Sequence, residues 1–466
     1  VLPFWLRNLN LASYRPKMSA NDSKTTLNTE KEDSYLYFMK TPLKITACWD
    51  IFPKTTNEKR NMMNHFYLVF VLFVLTYIPV SLALYLYTEW TDFMSSLNKI
   101  SDFLPLLVSL IIVGYYAVYR KDLYELVEFM DKNFKYHSAR GLTNMTMFES
   151  CKIARRFGRI YTACTLFSAL TYATLPFVEY FLTEEPLQLW ILDGVSRSPF
   201  FELMYGVFCL SQVYVGLALG QFGVFFGSTS ILICGQLDLL CCSLRNSRYT
   251  ALLQKGVKHS ALVASYADIQ EDEKHSYIYN VSELKDSEYH YDEKRGHNFA
   301  DVKTQFDIYS AEYDNATMKA LRDCASFCQV LASYKEMFES FVSPLLVLRV
   351  VQVTMYCCTL LYAVTKFEMV TVEYLAAVVL DIFIYCYYGN QIILQADRIS
   401  IAAYQSAWHT MGVRPRRVLL NILLANKRPV IVRAGRFLPI DLQTYILIIK
   451  TSFSYYTLLV NVNEKR

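Results

Sequence analysis

The sequence predicts an all-α membrane protein of seven transmembrane helices, with a cytosolic N-terminus and an extracellular C-terminus. Three observations predict it. Of 466 residues, 53% are hydrophobic and only 19% charged, and mean hydropathy is +0.20. That is too apolar for a typical soluble domain and suits a membrane protein with sizeable polar loops. Seven stretches approach the roughly 20 apolar residues that cross a hydrocarbon core about 30 Å thick. Finally, Lys and Arg are unequally divided between alternate gaps, which sets the orientation.

In chain order, residues 1–63 form a cytosolic N-terminal segment holding ten Lys and Arg. "VLPFWLRNLN" is too short an apolar run for a signal peptide and carries no small-residue cleavage site. Met18 reads as the natural start, with residues 1–17 a gene-model extension. Residues 64–244 supply the first four spans, at 64–87, 101–119, 158–182 and 201–227. Of the gaps, 120–157 and 393–437 hold eight basic residues each, whereas 88–100, 183–200 and 365–370 hold one each, Lys99, Arg197 and Lys366. The basic gaps are therefore cytosolic.

Residues 245–317 are rich in Tyr, Asp, Glu, Lys and Ser and poor in branched aliphatics, so they are expected to be a poorly ordered cytosolic insert. The apolar spacing of 318–341 predicts a helix running directly into the fifth span, 340–364, followed by the sixth at 371–392. Residues 394–411 and 416–429 read as amphipathic cytosolic helices, so 318–437 joins spans five and six to a helical anchor platform. Such a platform, with little core of its own, suits a subunit interface better than a catalytic domain. Residues 438–466 hold the last span and an external C-terminus. This span is the most polar, with Lys450 and a ladder of hydroxyls inside "IIKTSFSYYTLLV".

Several function classes drop out. A net charge of +4, with no basic run interleaved with aromatics, gives no nucleic-acid surface. Phosphate-binding loops, His-Glu-x-x-His and Cys-x-x-Cys are absent, and the seven His are scattered, so neither enzyme, metal nor cofactor is expected. A metabotropic seven-span receptor needs the opposite orientation, and neither its Asp-Arg-Tyr nor its Asn-Pro-x-x-Tyr occurs. A secondary transporter would show internal repeats and interrupted helices. None of the 12 Cys falls in a predicted external loop, so Cys241, Cys242, Cys357 and Cys358 read as buried or cytosolic thiols. The sequons at Asn21, Asn144, Asn280 and Asn315 all fall in cytosolic segments, where glycosylation does not reach.

Ionisable residues inside spans usually face a bundle interior or a wet path. Arg349 and Asp381 both sit near mid-membrane, on helices joined by a short external turn. Two arrangements accommodate them: a mutual ion pair, or an Arg349 that snorkels to the cytosolic interface.

"YCYYGNQI" at 385–392, "AAYQSAW" at 402–408, "KRPVIVRAGRFLPIDL" at 427–442 and "IIKTSFSYYTLLVN" at 448–461 resemble the insect odorant receptor family. So does "ESFVSPLLVLRV" at 339–350, and the order and spacing of all five. The resemblance implies an odorant receptor of the olfactory neuron plasma membrane. It would be the ligand-tuning subunit of a tetrameric, odorant-gated, non-selective cation channel, assembled with a shared co-receptor. Its ligands are then small volatile organic molecules, spans one to four form the ligand-binding bundle, and the last span lines the pore. The long 245–317 insert departs from most tuning subunits. The alternative is a gustatory receptor of the same superfamily, whose usual ending "SYYTLLVNV" lacks.

Counting about 100° per residue from Leu458, residues Thr451, Ser454, Tyr455, Asn461 and Val462 fall within about 60°. That stripe mixes hydroxyls and an amide with apolar residues near the external end, as a gate that works by dewetting requires. The resemblance implies that Leu458 and Val462 occupy gate positions and Asn461 a selectivity position. Lys450 falls about 80° off the stripe. The odorant pocket carries no motif; the family's pattern implies the outer halves of spans two, three, four and six. These supply Leu107, Ile111, Thr171, Tyr172, Phe177, Tyr205, Phe208, Gln212, Tyr374 and Val378. Small apolar volatiles need a closed, aromatic-walled cavity with few polar groups.

Overall fold

Long apolar runs between short polar gaps fold as long helices, because in lipid a helix satisfies its own backbone hydrogen bonds. The computed structural model describes residues 35–52, 58–88, 93–183, 200–269, 277–283, 303–364, 369–427 and 430–464. A short α1 (Tyr37–Ile45) precedes α2 (Glu58–Thr88) and α3 (Phe93–Val118), which pack together. At Tyr119 the chain turns by 69° into α4 (Arg120–Asn133). There Leu123, Leu126, Val127 and Met130 bury one face, leaving the charges outside.

The chain continues through α5 (Phe148–Thr183), α6 (Phe200–Arg245), α7 (Ser247–Gln254) and α8 (His259–Ser265). Next come α9 (Asp314–Val364), α10 (Met369–Gln405), α11 (Val413–Ala425) and α12 (Leu442–Glu464). Two antiparallel ribbons complete the list: β1 (Asn144–Met145) with β2 (Ser282–Glu283), and β3 (Arg433–Ala434) with β4 (Leu438–Pro439). All seven predicted spans fall on α2, α3, α5, α6, α9, α10 and α12. Among the described residues four helical stretches are long and apolar enough to cross a membrane outright, and the bent α3–α4 pair makes a fifth.

The centre of the molecule is α6. It packs along α5 and α10 and touches α2, α3 and α9. Being apolar all round, it is buried all round: 94% of its most apolar window lies inside the protein. Its 46 residues reach about 69 Å, more than twice the hydrocarbon thickness, so its C-terminal half runs on beyond the bilayer. The 51-residue α9 does the same, as one continuous helix through the fifth span.

The insert expected to be poorly ordered is corrected wherever it is described. Residues 245–269, 277–283 and 303–317 are packed against the helices; 270–276 and 284–302 lie outside the described residues. A second small core gathers Leu142, Tyr249, Leu252, Val257, Leu262, Ile308, Tyr313 and Ala407. Beside it Arg248 is completely buried. Its Nε and Nη2 donate to Ile308 O at 3.1 and 2.6 Å, and Nη2 also to Ser310 O at 3.0 Å. Its Nη1 donates to Asp314 Oδ1 and Thr317 Oγ1, both at 3.0 Å. Asp314 Oδ1 in turn accepts Gly412 N at 3.2 Å, where a Cβ on residue 412 would stand 2.1 Å from the carboxylate. One guanidinium thus ties α7, the 308–310 loop, α9 and the start of α11. Composition hid this, because a few aliphatic residues gathered in a small core, together with one fully bonded cation, can order a segment that is polar on average.

The sequon Asn144 and Asn280 side chains are buried, with Asn280 accepting from Ser150 Oγ at 2.7 Å and donating to Gly235 O at 3.1 Å. Asn315 is exposed, but Thr317 of its sequon is buried. Asn21 lies outside the described residues.

Removing the guanidinium leaves Asp314 without its counter-charge and takes donors from Ile308 O, Ser310 O and Thr317 Oγ1. Arg248→Met should cost about 3–5 kcal/mol of unfolding free energy, with Arg248→Lys falling between it and the parent. Thermal unfolding of the detergent-purified chain measures this; a parent-like midpoint for Arg248→Met would show that the segment is held by other contacts.

Candidate functional site

Two features stand out for function: a polar cluster inside the bundle, and the exposed face of the last helix.

The cluster is assembled from three helices. Arg349 of α9 donates through Nη2 to Asp381 Oδ2 of α10 and through Nη1 to Gln352 Oε1 one turn along. The second carboxylate oxygen, Asp381 Oδ1, accepts the Tyr161 hydroxyl from α5. The charged side chains are 7% and 13% exposed. The structure therefore brings Arg349 and Asp381 together, with no snorkelling Arg349. Tyr161 was not singled out from sequence. It reaches Asp381 because α6 offers Gly223 beneath its ring, where a Cβ would stand 2.9 Å from the hydroxyl. A charge in this setting is tolerable only when paired and further hydrogen-bonded.

Among the odorant-pocket candidates, Phe208 and Gln212 are buried, and Leu107, Thr171, Tyr172, Tyr205 and Val378 half-buried. Tyr205 and Phe208 stack at 6.1 Å on α6, and the Tyr205 hydroxyl donates to Ala173 O of α5 at 2.8 Å. Tyr205 therefore sits at the α5–α6 seam, with Phe208 beside it. Thr171 Oγ1 donates back to Phe167 O of its own helix at 2.9 Å. Ile111 is 42% exposed and turned outward, because the buried face of α3 runs through Val108, Ile112 and Tyr116. The side chains of Phe177 and Tyr374 lie outside the described residues.

The last helix starts at a defined point. Asp441 Oδ1 accepts Thr444 N at 2.8 Å, an N-terminal cap, and Thr444 Oγ1 donates to Pro439 O at 2.7 Å. The preceding hairpin turns at Gly435 and Arg436, both with positive φ. It lies so close to α10 that a Cβ on Gly389 would sit 2.2 Å from Ile440 O. Tyr445 then meets Phe383 edge-on at 5.4 Å.

From there α12 buries Thr444, Ile448 and Ser452 against α9 and α10. Lys450, Ser454 and Thr457 are exposed on its other side, Tyr455 is exposed although it shares the helical face of Ile448 and Ser452, and Thr451 is half-buried. The hydroxyls donate to their own helix: Thr451 to Leu447 O at 2.7 Å, Ser454 to Lys450 O at 3.0 Å and Thr457 to Ser454 O at 2.8 Å. Their donors are thus satisfied while oxygen lone pairs remain on the exposed face. Leu458, Asn461 and Val462 continue the helix backbone, and their side chains lie outside the described residues.

Residues 92–453 match the family model described as 7tm Odorant receptor. Putative odorant receptor 85e of Drosophila melanogaster is 22% identical over 380 residues, covering 79% of each chain. Odorant receptor 83a of the same species is 23% identical over 349 residues, 72% of this chain and 73% of that one. The solved insect olfactory receptor OR5 from Machilis hrabei superposes with a TM-score of 0.68 at 14% identity, covering 94% of this chain and 99% of that one. Its complex with eugenol matches equally, with a TM-score of 0.68. At that identity the likeness shows the seven-helix fold alone.

Asp381→Leu strands the buried Arg349 cation and should lower surface expression severalfold. Arg349→Leu combined with Asp381→Leu removes both charges and should recover part of the loss. Surface biotinylation checks this; purely additive losses would mean that the two side chains do not support each other in the membrane.

Proposed function

The chain belongs to the 7tm odorant receptor family, and on that premise we propose that it is the odorant-binding subunit of an odorant-gated, non-selective cation channel. It acts in a tetramer with a shared co-receptor, in the plasma membrane of olfactory sensory neurons. The family is one of multi-pass membrane receptors, not of enzymes, and the match over residues 92–453 favours it over a gustatory receptor.

The observation that carries the channel reading is the division of α12. Thr444, Ile448 and Ser452 pack on α9 and α10, while among the described residues Ser454 is exposed on the far side, and Tyr455 (exposed) and Thr451 (half-buried) border the packed face. In a fourfold assembly these groups face a lumen or a neighbouring subunit. Hydroxyls bonded back to their own helix give such a wall oxygen lone pairs without loose donors. Leu458 and Val462, one turn apart, form the narrow apolar ring, and Asn461 sets ion preference beside it. Four bare Lys450 side chains would repel cations, so Lys450 belongs at the flank of the stripe.

The odorant occupies the outer halves of the helices around the α5–α6 seam. Leu107, Thr171, Tyr172, Phe177, Tyr205, Phe208, Gln212, Tyr374 and Val378 are the proposed surroundings. The exposure of Ile111 argues for leaving it out. Residues 64–244 then serve as the ligand-binding bundle and 318–437 as the anchor joining subunits.

Two experiments test this reading. Expressed with a co-receptor, the chain should give cation currents to a panel of volatile esters, ketones and phenols, and none when expressed without it. Leu458→Ser should raise the odorant-free current severalfold, because a wetted ring no longer closes. A variant with altered odorant sensitivity but unchanged basal current would put the stripe outside the conduction path.

The second concerns sidedness. An epitope at Met18 should be detected only after permeabilisation, and endoglycosidase should leave gel mobility unchanged. A mobility shift abolished by Asn21→Gln would overturn the cytosolic N-terminus.

A further inference from the structure

The cytosolic end of α5 carries a charge arrangement that none of the above uses. Lys152, Arg155, Arg156 and Arg159 are spaced i, i+3, i+4 and i+7, so they share one helix face, and all four are exposed. The opposite face, at Ala154 and Gly158, is buried; a Cβ on Gly158 would meet Phe38 of α1 at 2.3 Å and Val224 of α6 at 3.3 Å. The cations therefore look away from the bundle. Exposed Ile153 and Ile160 stand beside them, and the apolar span begins where they end.

These charges are poorly compensated from within the chain. Lys152 meets Glu149 at 3.2 Å, an exposed pair of little strength. Arg159 Nε reaches only the carbonyl of Arg155, at 3.4 Å. Among the described residues no carboxylate lies within ion-pair distance of Arg155, Arg156 or Arg159. Like charges at these spacings repel and weaken a helix, so the face gains from an anion supplied from outside. With the N-terminus in the cytosol, the stripe lies at the headgroup level of the inner leaflet. Clustered cations just cytosolic of a span attract anionic lipid there. Four of them within about 10 Å of helix axis suit one multiply charged headgroup better than several single charges.

We propose that this face of α5 binds the headgroup of a polyphosphorylated inositol lipid, with Lys152, Arg155, Arg156 and Arg159 on its phosphates and Ile153 and Ile160 against the acyl region. The proposal rests on the sidedness given above, but its test does not depend on sidedness or on odorant.

The probe is a fluorescent phosphatidylinositol 4,5-bisphosphate in detergent micelles, titrated with the purified full chain. The stripe variant K152Q/R155Q/R156Q/R159Q is compared with K255Q/K258Q/K319Q/R322Q, which removes equal charge from exposed positions elsewhere. The parent and the control should bind alike, and the stripe variant at least about tenfold more weakly. R155K/R156K/R159K keeps the charge and should retain binding, which separates charge loss from misfolding. The proposal is overturned if the stripe variant binds like the control, if phosphatidylserine competes as well as the bisphosphate, or if soluble inositol trisphosphate binds as tightly as the lipid. Any of these leaves the receptor reading standing, since that reading is judged on currents. A silent channel would equally leave the lipid titration valid.

Discussion

The close approach of α5 to α6 is the constraint on which the rest of the fold depends. Cβ atoms built at Gly216, Gly220, Gly223 and Gly227 would stand 2.5, 2.6, 2.9 and 2.5 Å from Ala169, Thr165, Tyr161 and Phe157 respectively. No side chain at these positions would leave the helices where they are. Lipid tails are as apolar as leucine, so spans associate through packing and hydrogen bonds, and small residues let that packing become close. The seam sets the depth at which Tyr161 crosses α6, and hence whether its hydroxyl reaches Asp381 on α10. Through Asp381 and Arg349 the same seam reaches α9, against which the last helix packs.

Two buried arginines are handled differently. Arg248, outside the apolar span, is satisfied mainly by backbone carbonyls, with Asp314 as a single counter-charge. Arg349, inside the bundle, has its own helix's carbonyls already engaged in the ladder and depends on side chains: Asp381, Gln352 and, through Asp381, Tyr161. The difference follows from the backbone. A loop such as 308–310 has free carbonyls to offer, whereas a transmembrane helix has none to spare. Arg248 consequently fixes loops to helices, and Arg349 fixes helices to one another.

Much of this was legible in the sequence, for reasons that differ by region. The spans were, because hydrocarbon demands long apolar runs whatever the fold. The continuity of the 318–341 helix with the fifth span was too, since its helical spacing never breaks. The 245–317 segment was misread where it is described, because its order comes from a small core of scattered apolar residues and from Arg248, which looks like any surface cation. The Gly216–Gly227 spacing was a signal that could have located the α5–α6 seam. Tyr161 carried none, being one of 36 tyrosines whose partner lies 220 positions away. The pocket was least legible: Ile111 and Leu107 share a helical spacing, yet Ile111 faces outward.

The short ribbon of β1 and β2 has a consequence for biogenesis. It pairs Asn144 with Glu283, and Asn280 stands two residues before β2 begins at Ser282, so two sequons from distant parts of the chain are both buried. If they lie in the cytosol, as proposed, they stay unmodified, and Asn280 bonds to Ser150 and Gly235. A copy threaded into the membrane upside down would present both to the oligosaccharyl transferase while still extended. A glycan on either could not be accommodated where the side chain must be enclosed, so that copy would stay unfolded. With the proposed sidedness, the ribbon would thereby convert an error of insertion into an error of folding, which a cell can recognise and clear.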